Sequence, residues 1–182
     1  LPLGTPAISP DERTIAYTVT DAQGITRIHV RPVDRIETRV LPGTENAVHP
    51  FWSADGRSLA FATVPENYLK QIDVGAGAAR TLFFVTGPWH GTFNQNGELL
   101  FVGGEIRRWV TGETPTVALK REDGEGTTFP FFLPDGKRYL LLRSLNGKLS
   151  IQMASLGSQG RSVVVDPVDG SALMTRTPCG KA

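Results

Sequence analysis

The chain has 182 residues with 19 basic against 18 acidic side chains and no long run of either sign, which argues against a surface built to track a nucleic-acid backbone. Hydrophobic residues make up 40%, enough for a packed core, and the one cysteine, Cys179, excludes an internal disulfide framework or a multi-cysteine zinc site. Gly and Pro together fill 33 positions along the whole length, and no apolar run approaches the roughly 18 residues of a membrane span, so the expectation is many short strands.

The opening Leu1-Pro2-Leu3-Gly4-Thr5-Pro6 is not patterned as a secretory signal and lacks an initiator Met, so the chain is expected to begin partway into a longer product. A first unit, about 5–45, turns at Ser9-Pro10-Asp11-Glu12 and continues through Ile15-Ala16-Tyr17, Arg27-Ile28-His29-Val30 and a short run at 38–41. A second, 46–87, turns at Ser53-Ala54-Asp55-Gly56 and runs through Leu59-Ala60-Phe61, Leu69-Lys70-Gln71-Ile72 and 80–84. The third, 88–124, turns at Asn94-Gln95-Asn96-Gly97, followed by Leu99-Leu100-Phe101, Ile106-Arg107-Arg108-Trp109 and 116–119. The fourth, 125–165, turns at Leu133-Pro134-Asp135-Gly136, followed by Tyr139-Leu140-Leu141, Leu149-Ser150-Ile151-Gln152-Met153 and 162–165.

The third residues of the four turns, at 11, 55, 96 and 135, are spaced by 44, 41 and 39. An Asp-Gly or Asn-Gly pair supplies the positive φ of a tight hairpin, and a preceding Pro sets φ at its start. Glu12 stands where that Gly is expected, so the first turn is expected to be wider or of another type. A period near forty with four short strands per unit is the pattern of a propeller blade. A β-sandwich has strands at regular spacing too, but no reason to repeat one turn tetrapeptide four times. The expected fold is therefore all-β, a β-propeller segment of about four four-stranded antiparallel blades. Residues 166–182 form an atypical tail with room for one strand, at 172–175, and not for a fifth blade.

The stretch Pro50-Phe51-Trp52-Ser53-Ala54-Asp55-Gly56-Arg57-Ser58-Leu59-Ala60-Phe61 resembles the TolB-type, WD-like propeller repeat. With Val30-Arg31-Pro32-Val33-Asp34 and Leu41-Pro42-Gly43-Thr44-Glu45 it is similar to the propeller regions attached to bacterial membrane-anchored serine/threonine kinases and some transcriptional regulators. The resemblance spans roughly residues 5–165. It implies a ring of six to eight blades, of which this chain is about half, and an extracytoplasmic setting. Because related propellers also decorate peptidases and envelope-transport proteins, it implies fold more than activity.

His49 lies six residues before Asp55 and His90 six before Asn96, so the repeat gives them one structural position, shared by Thr5 and Phe129 in the outer units. In propellers that position is at the start of the innermost strand, near a mouth of the channel. Two imidazoles there suit a metal or an anion, yet no carboxylate shares the offset and two ligands do not make a zinc site. The plainer reading is two loop histidines. Trp89, beside His90, is a candidate partner contact, and Trp52 a packing residue between sheets. Arg107-Arg108 reads as a solvated strand edge, and Asp11, Asp55 and Asp135 as turn formers. No hydrolase elbow, zincin motif or phosphate-binding loop is present, and Gly75-Ala76-Gly77-Ala78-Ala79-Arg80 lacks the third Gly of a dinucleotide loop.

The expected function is a non-enzymatic scaffold for protein or ligand binding at His49, His90, Trp89, Thr5 and Phe129, with no cofactor, no metal and no nucleic acid. Blades from a larger ring leave two apolar faces open, so a homodimer closing the ring is expected. The rivals are a channel-mouth lyase or hydrolase built on His49 and His90, and an accessory domain of a kinase or peptidase.

Overall fold

The computed structural model describes residues 6–75, 77–86 and 90–166. Four antiparallel sheets of four strands follow one another along the chain, each in sequence order from inside to outside. The first holds β1 (Ala7–Ile8), β2 (Thr14–Thr20), β3 (Thr26–Pro32) and β4 (Arg39–Val40). The second holds β5 (Ala47–Trp52), β6 (Ser58–Thr63), β7 (Tyr68–Asp73) and β8 (Arg80–Phe84). The third holds β9 (Gly91–Phe93), β10 (Leu99–Gly103), β11 (Glu105–Trp109) and β12 (Thr116–Leu119). The fourth holds β13 (Glu125–Phe132), β14 (Arg138–Leu145), β15 (Lys148–Ser155) and β16 (Arg161–Val165). The strand suggested at 172–175 lies outside the described residues.

In each repeated tetrapeptide the N–H of the fourth residue bonds the carbonyl of the first. Gly56 N–H donates to Ser53 O at 3.0 Å and Gly136 N–H to Leu133 O at 2.9 Å, with the glycine at φ 69° and 65°. This is a β-turn closed by a left-handed residue, the pattern of a longer hairpin loop. The carboxylate of Asp55 fixes it by accepting from Ser53 Oγ at 2.6 Å and Arg57 N–H at 3.0 Å. Asp11 accepts from Ser9 Oγ and Arg13 N–H in the same way. The first turn is therefore not wider: Glu12 takes the glycine's place at φ 61°, and its N–H reaches Ser9 O at 2.9 Å. The side-chain cradle of Ser9 and Asp11 holds the backbone there without a glycine. The departure lies in the third unit, where Asn94 N–H pairs with Glu98 O, one residue sooner than Ser53 pairs with Ser58. The two-residue Asn-Gly hairpin occurs elsewhere, at Asn146-Gly147 (φ 51° and 75°) between the paired Leu145 and Lys148.

Alternation along the strands distributes the core between successive sheets. Ala16, Ile28 and Val30 of the first sheet meet Trp52, Leu59, Phe61 and Ile72 of the second. Phe51, Leu69 and Phe83 of the second meet Leu99, Phe101 and Trp109 of the third. Leu100, Val102 and Ile106 of the third meet Phe132, Tyr139, Leu141 and Ala154 of the fourth. β6 and β10 are nearly continuous apolar runs because both of their faces are covered. Among the described residues the outward faces of the first and fourth sheets have no such cover, and the set stays open as a partial propeller. Ile8 is 51% exposed and Phe131 38%.

Candidate functional site

The innermost strands bring together three of the residues singled out by the repeat. In β5, Val48 stands opposite Ala62 and Phe51 opposite Ala60, so His49 and Pro50 share one partner position, a β-bulge. β13 does the same with Phe129 and Pro130, between Thr128 opposite Leu142 and Phe131 opposite Leu140. His49 and Phe129 both adopt left-handed backbone, at φ 51° and 52°. That conformation costs a non-glycine residue on the order of 1–3 kcal/mol, and such strain collects where a side chain must be aimed. His90 arrives without a bulge: β9 pairs with β10 in unbroken register, and His90 O accepts Val102 N–H at 3.1 Å.

The rings meet on the concave side. The His49 and His90 centroids are 4.6 Å apart at 64°, edge to face, and those of His90 and Phe129 are 3.9 Å apart at 31°. They line a depression of about 180 Å³ with Pro6, Pro50, Phe51, Gly91, Pro130 and Phe131, drawn from all four sheets. Gly91 is required by closeness, since a Cβ there would lie 2.7 Å from Phe51 Cζ and 2.9 Å from Leu100 O. Thus His49 is a bulged strand residue and not a loop histidine, and its ring is packed against His90. Thr5 and Trp89 lie outside the described residues.

Burial lowers the pKa of His49, and burial followed by the neighbouring His49 charge lowers that of His90 to about 4. At pH 7 both imidazoles are neutral, and among the described residues the lining has no carboxylate, Lys or Arg. Among the described residues no group of three or more His, Cys, Asp or Glu could hold a metal ion. The arrangement can stack on an apolar or aromatic group and exchange a hydrogen bond with it through an uncharged imidazole.

The prolines of the lining also carry a signal in the sequence. Pro6, Pro50 and Pro130 each stand five residues before the third turn residue, and only the third unit differs, with Gly91. Trp52 packs between the first two sheets, 8% exposed, with Nε1 donating to Ala7 O at 3.0 Å. Arg107 and Arg108 lie on β11, an inner strand of the third sheet and not an edge, and the part-exposed Arg108 guanidinium pairs with Glu98, itself held by Asn94 Nδ2 at 2.8 Å.

No family model matches the chain, and no curated protein matches it in sequence. Solved structures do share its fold. TolB from Acinetobacter baumannii is similar at TM-score 0.75 and 19% identity, over 91% of this chain and 44% of that one. Hydrazine synthase from Kuenenia stuttgartiensis is similar at TM-score 0.70 and 14% identity, over 90% and 50%. Oligogalacturonate lyase from Vibrio parahaemolyticus is similar at TM-score 0.61 and 15% identity, over 86% and 51%. The chain spans about half the length of these structures. At such identities the likeness is one of fold alone, a propeller-like arrangement similar to that of TolB and shared by proteins of unlike activity.

Proposed function

We propose that the chain is a non-enzymatic binding scaffold, with blades running 5–45, 46–87, 88–124 and 125–165, that offers a neutral apolar pocket at His49, His90 and Phe129. The observation that carries this reading is the lining: three prolines, phenylalanine rings and two uncharged imidazoles, with no ionised group among the described residues. A site for a charged ligand would hold a countercharge, because an ion stripped of water needs one. At about 180 Å³ the depression suits one side chain of prolyl, leucyl or aromatic size and not a drug-sized molecule. The partner is then a protein segment presenting such a side chain, gripped by residues that rigid sheets hold in place. A general acid or base works best with a pKa near the operating pH, and His90 at about 4 is far from it. That weighs against a lyase or hydrolase built on the two histidines.

The uncovered first and last sheet faces support self-association that completes the ring. The resemblance to TolB-type propellers supports an extracytoplasmic setting, and a role as an accessory domain of a larger chain such as a kinase or peptidase. The binding reading is tested by titrating isotopically labelled protein with N-acetyl-prolinamide, N-acetyl-leucinamide and N-acetyl-phenylalaninamide while following amide and imidazole resonances. Saturable shifts confined to residues 48–51, 90–93 and 128–131 are expected. Shifts scattered over the surface, or none at millimolar ligand, overturn the reading.

A further inference from the structure

The three internal joints between sheets follow one rule of position. Trp52, Phe93 and Phe132 each stand three residues before the third turn residue, and each packs toward the preceding sheet. So do Leu59, Leu99 and Tyr139 at the start of the next strand, and Phe61, Phe101 and Leu141 two residues further on. In the first sheet those places belong to Ile8, Ile15 and Tyr17, and no sheet among the described residues precedes them. The opposite face obeys the same rule. Ala16, Ala60 and Leu100 point to the following sheet and are wholly buried, whereas Leu140 at the fourth such place is only half-buried. Around Leu140 lie its cross-strand neighbours Phe131 and Met153, then Leu142 with Ile151.

The chain therefore carries both halves of a fourth joint on separate surfaces. Even the polar members agree: His29, opposite Tyr17, occupies the place of Lys70, Arg107 and Gln152 in the other sheets. We propose that the first sheet of a second copy seats on the fourth sheet of the first, placing Ile8, Ile15 and Tyr17 against Phe131, Leu140 and Leu142, and that the reciprocal contact closes an eight-bladed dimer. The inference rests on the self-association within the proposed function and not on the pocket. It specifies a joint between two different faces, which must close as a ring or run on as a filament. Arg31 is the departure, since it stands where the other sheets have Ile72, Trp109 and Ala154. A cation in the joint makes it weaker than the internal ones, so the dimer is reversible.

The test is sedimentation equilibrium between about 1 and 500 μM on the unmodified chain and on Ile15→Glu and Leu140→Glu. Both sites are part-exposed, so each variant is expected to fold, which circular dichroism checks. The unmodified chain should pass from one to two copies, and each substitution should weaken association by about 100-fold or more. Mixing the two variants should restore part of the association, because one of the two joints then has both faces intact. A mass that stays monomeric overturns the proposal, and leaves the faces to further blades of a longer polypeptide. Dimerisation that survives Ile15→Glu, or masses growing beyond two copies, overturns it as well. Repeating the amide titration on monomeric Ile15→Glu, whose partner Ile8 does not line the pocket, separates the readings: shifts retained there mean that the pocket stands by itself, whatever the fate of the ring.

Discussion

Replacing His90 by Phe should remove a large part of the acid sensitivity of folding between pH 7 and pH 5, leaving the smaller share of His49 and His29, whose pKa values burial also lowers. Phe129 fills the matching place in the fourth sheet and stacks within 3.9 Å of His90, so a ring without a titrating proton fits the site. The His90 pKa falls to about 4 from an ordinary 6.5, chiefly through burial and then through His49. The folded state thus favours the neutral ring, and its contribution is complete above about pH 6.5. It is lost as the pH falls through 6.5 towards 4. Between pH 8 and pH 5 linkage gives roughly 2 kcal/mol, which partial contact with water reduces to about 1–2 kcal/mol. Carboxylates with lowered pKa, such as Asp55 and Glu98, stay ionised over this range and leave the histidines in control. Urea unfolding at half-unit steps of pH would show a slope in the unmodified protein and a flatter one in His90→Phe. An unchanged slope, or a His90 carbon–proton resonance titrating near 6.5, would refute the argument.

Three further outcomes follow from the packing. Trp52→Ala removes a ring from the joint between the first two sheets together with its bond to Ala7, and should cost about 3–5 kcal/mol in denaturant unfolding. Gly91→Ala forces a methyl group onto Phe51 and the Leu100 carbonyl, so a loss of about 1–3 kcal/mol is expected, with shifted Phe51 ring resonances. Glu12→Gly relieves a left-handed non-glycine residue, and should raise the unfolding midpoint by about 0.5–1 kcal/mol in equivalent stability. A destabilised Glu12→Gly would refute the reading that the left-handed Glu12 is strained, since the Ser9 and Asp11 cradle is untouched by the change.

The turns and strands were legible because each is decided within a few residues. A left-handed glycine three residues after Ser53 needs nothing from the rest of the chain. Glu12 shows the limit of that logic, since the same backbone can be imposed by two neighbouring side chains when glycine is absent. The shared position of His49, His90 and Phe129 was also legible, because a repeat converts an offset in sequence into an address in space. How those rings meet was not. Two of them sit on bulges whose first residue precedes a proline, a combination that local preference disfavours and that only the surrounding sheets sustain. The neutrality of the pair likewise depends on burial among prolines contributed by sheets that are remote in sequence. The Arg108 ion pair is hidden for a similar reason: its partner Glu98 lies at the end of the turn that leads into β10, and reaches Arg108 through a register that the sequence does not print.

Among the described residues every sheet is made of strands adjacent in sequence, and the buried core joins each sheet to the next. Order can therefore spread blade by blade, without waiting for distant ends of the chain to meet, which favours rapid assembly for a protein with so many strands. It also predicts graded loosening. Strands β6 and β10, covered on both sides, should retain their amide hydrogens longest under native exchange, while the inner strands β2 and β15, each bare on one side, should give theirs up sooner and the exposed edges β4 and β16 first.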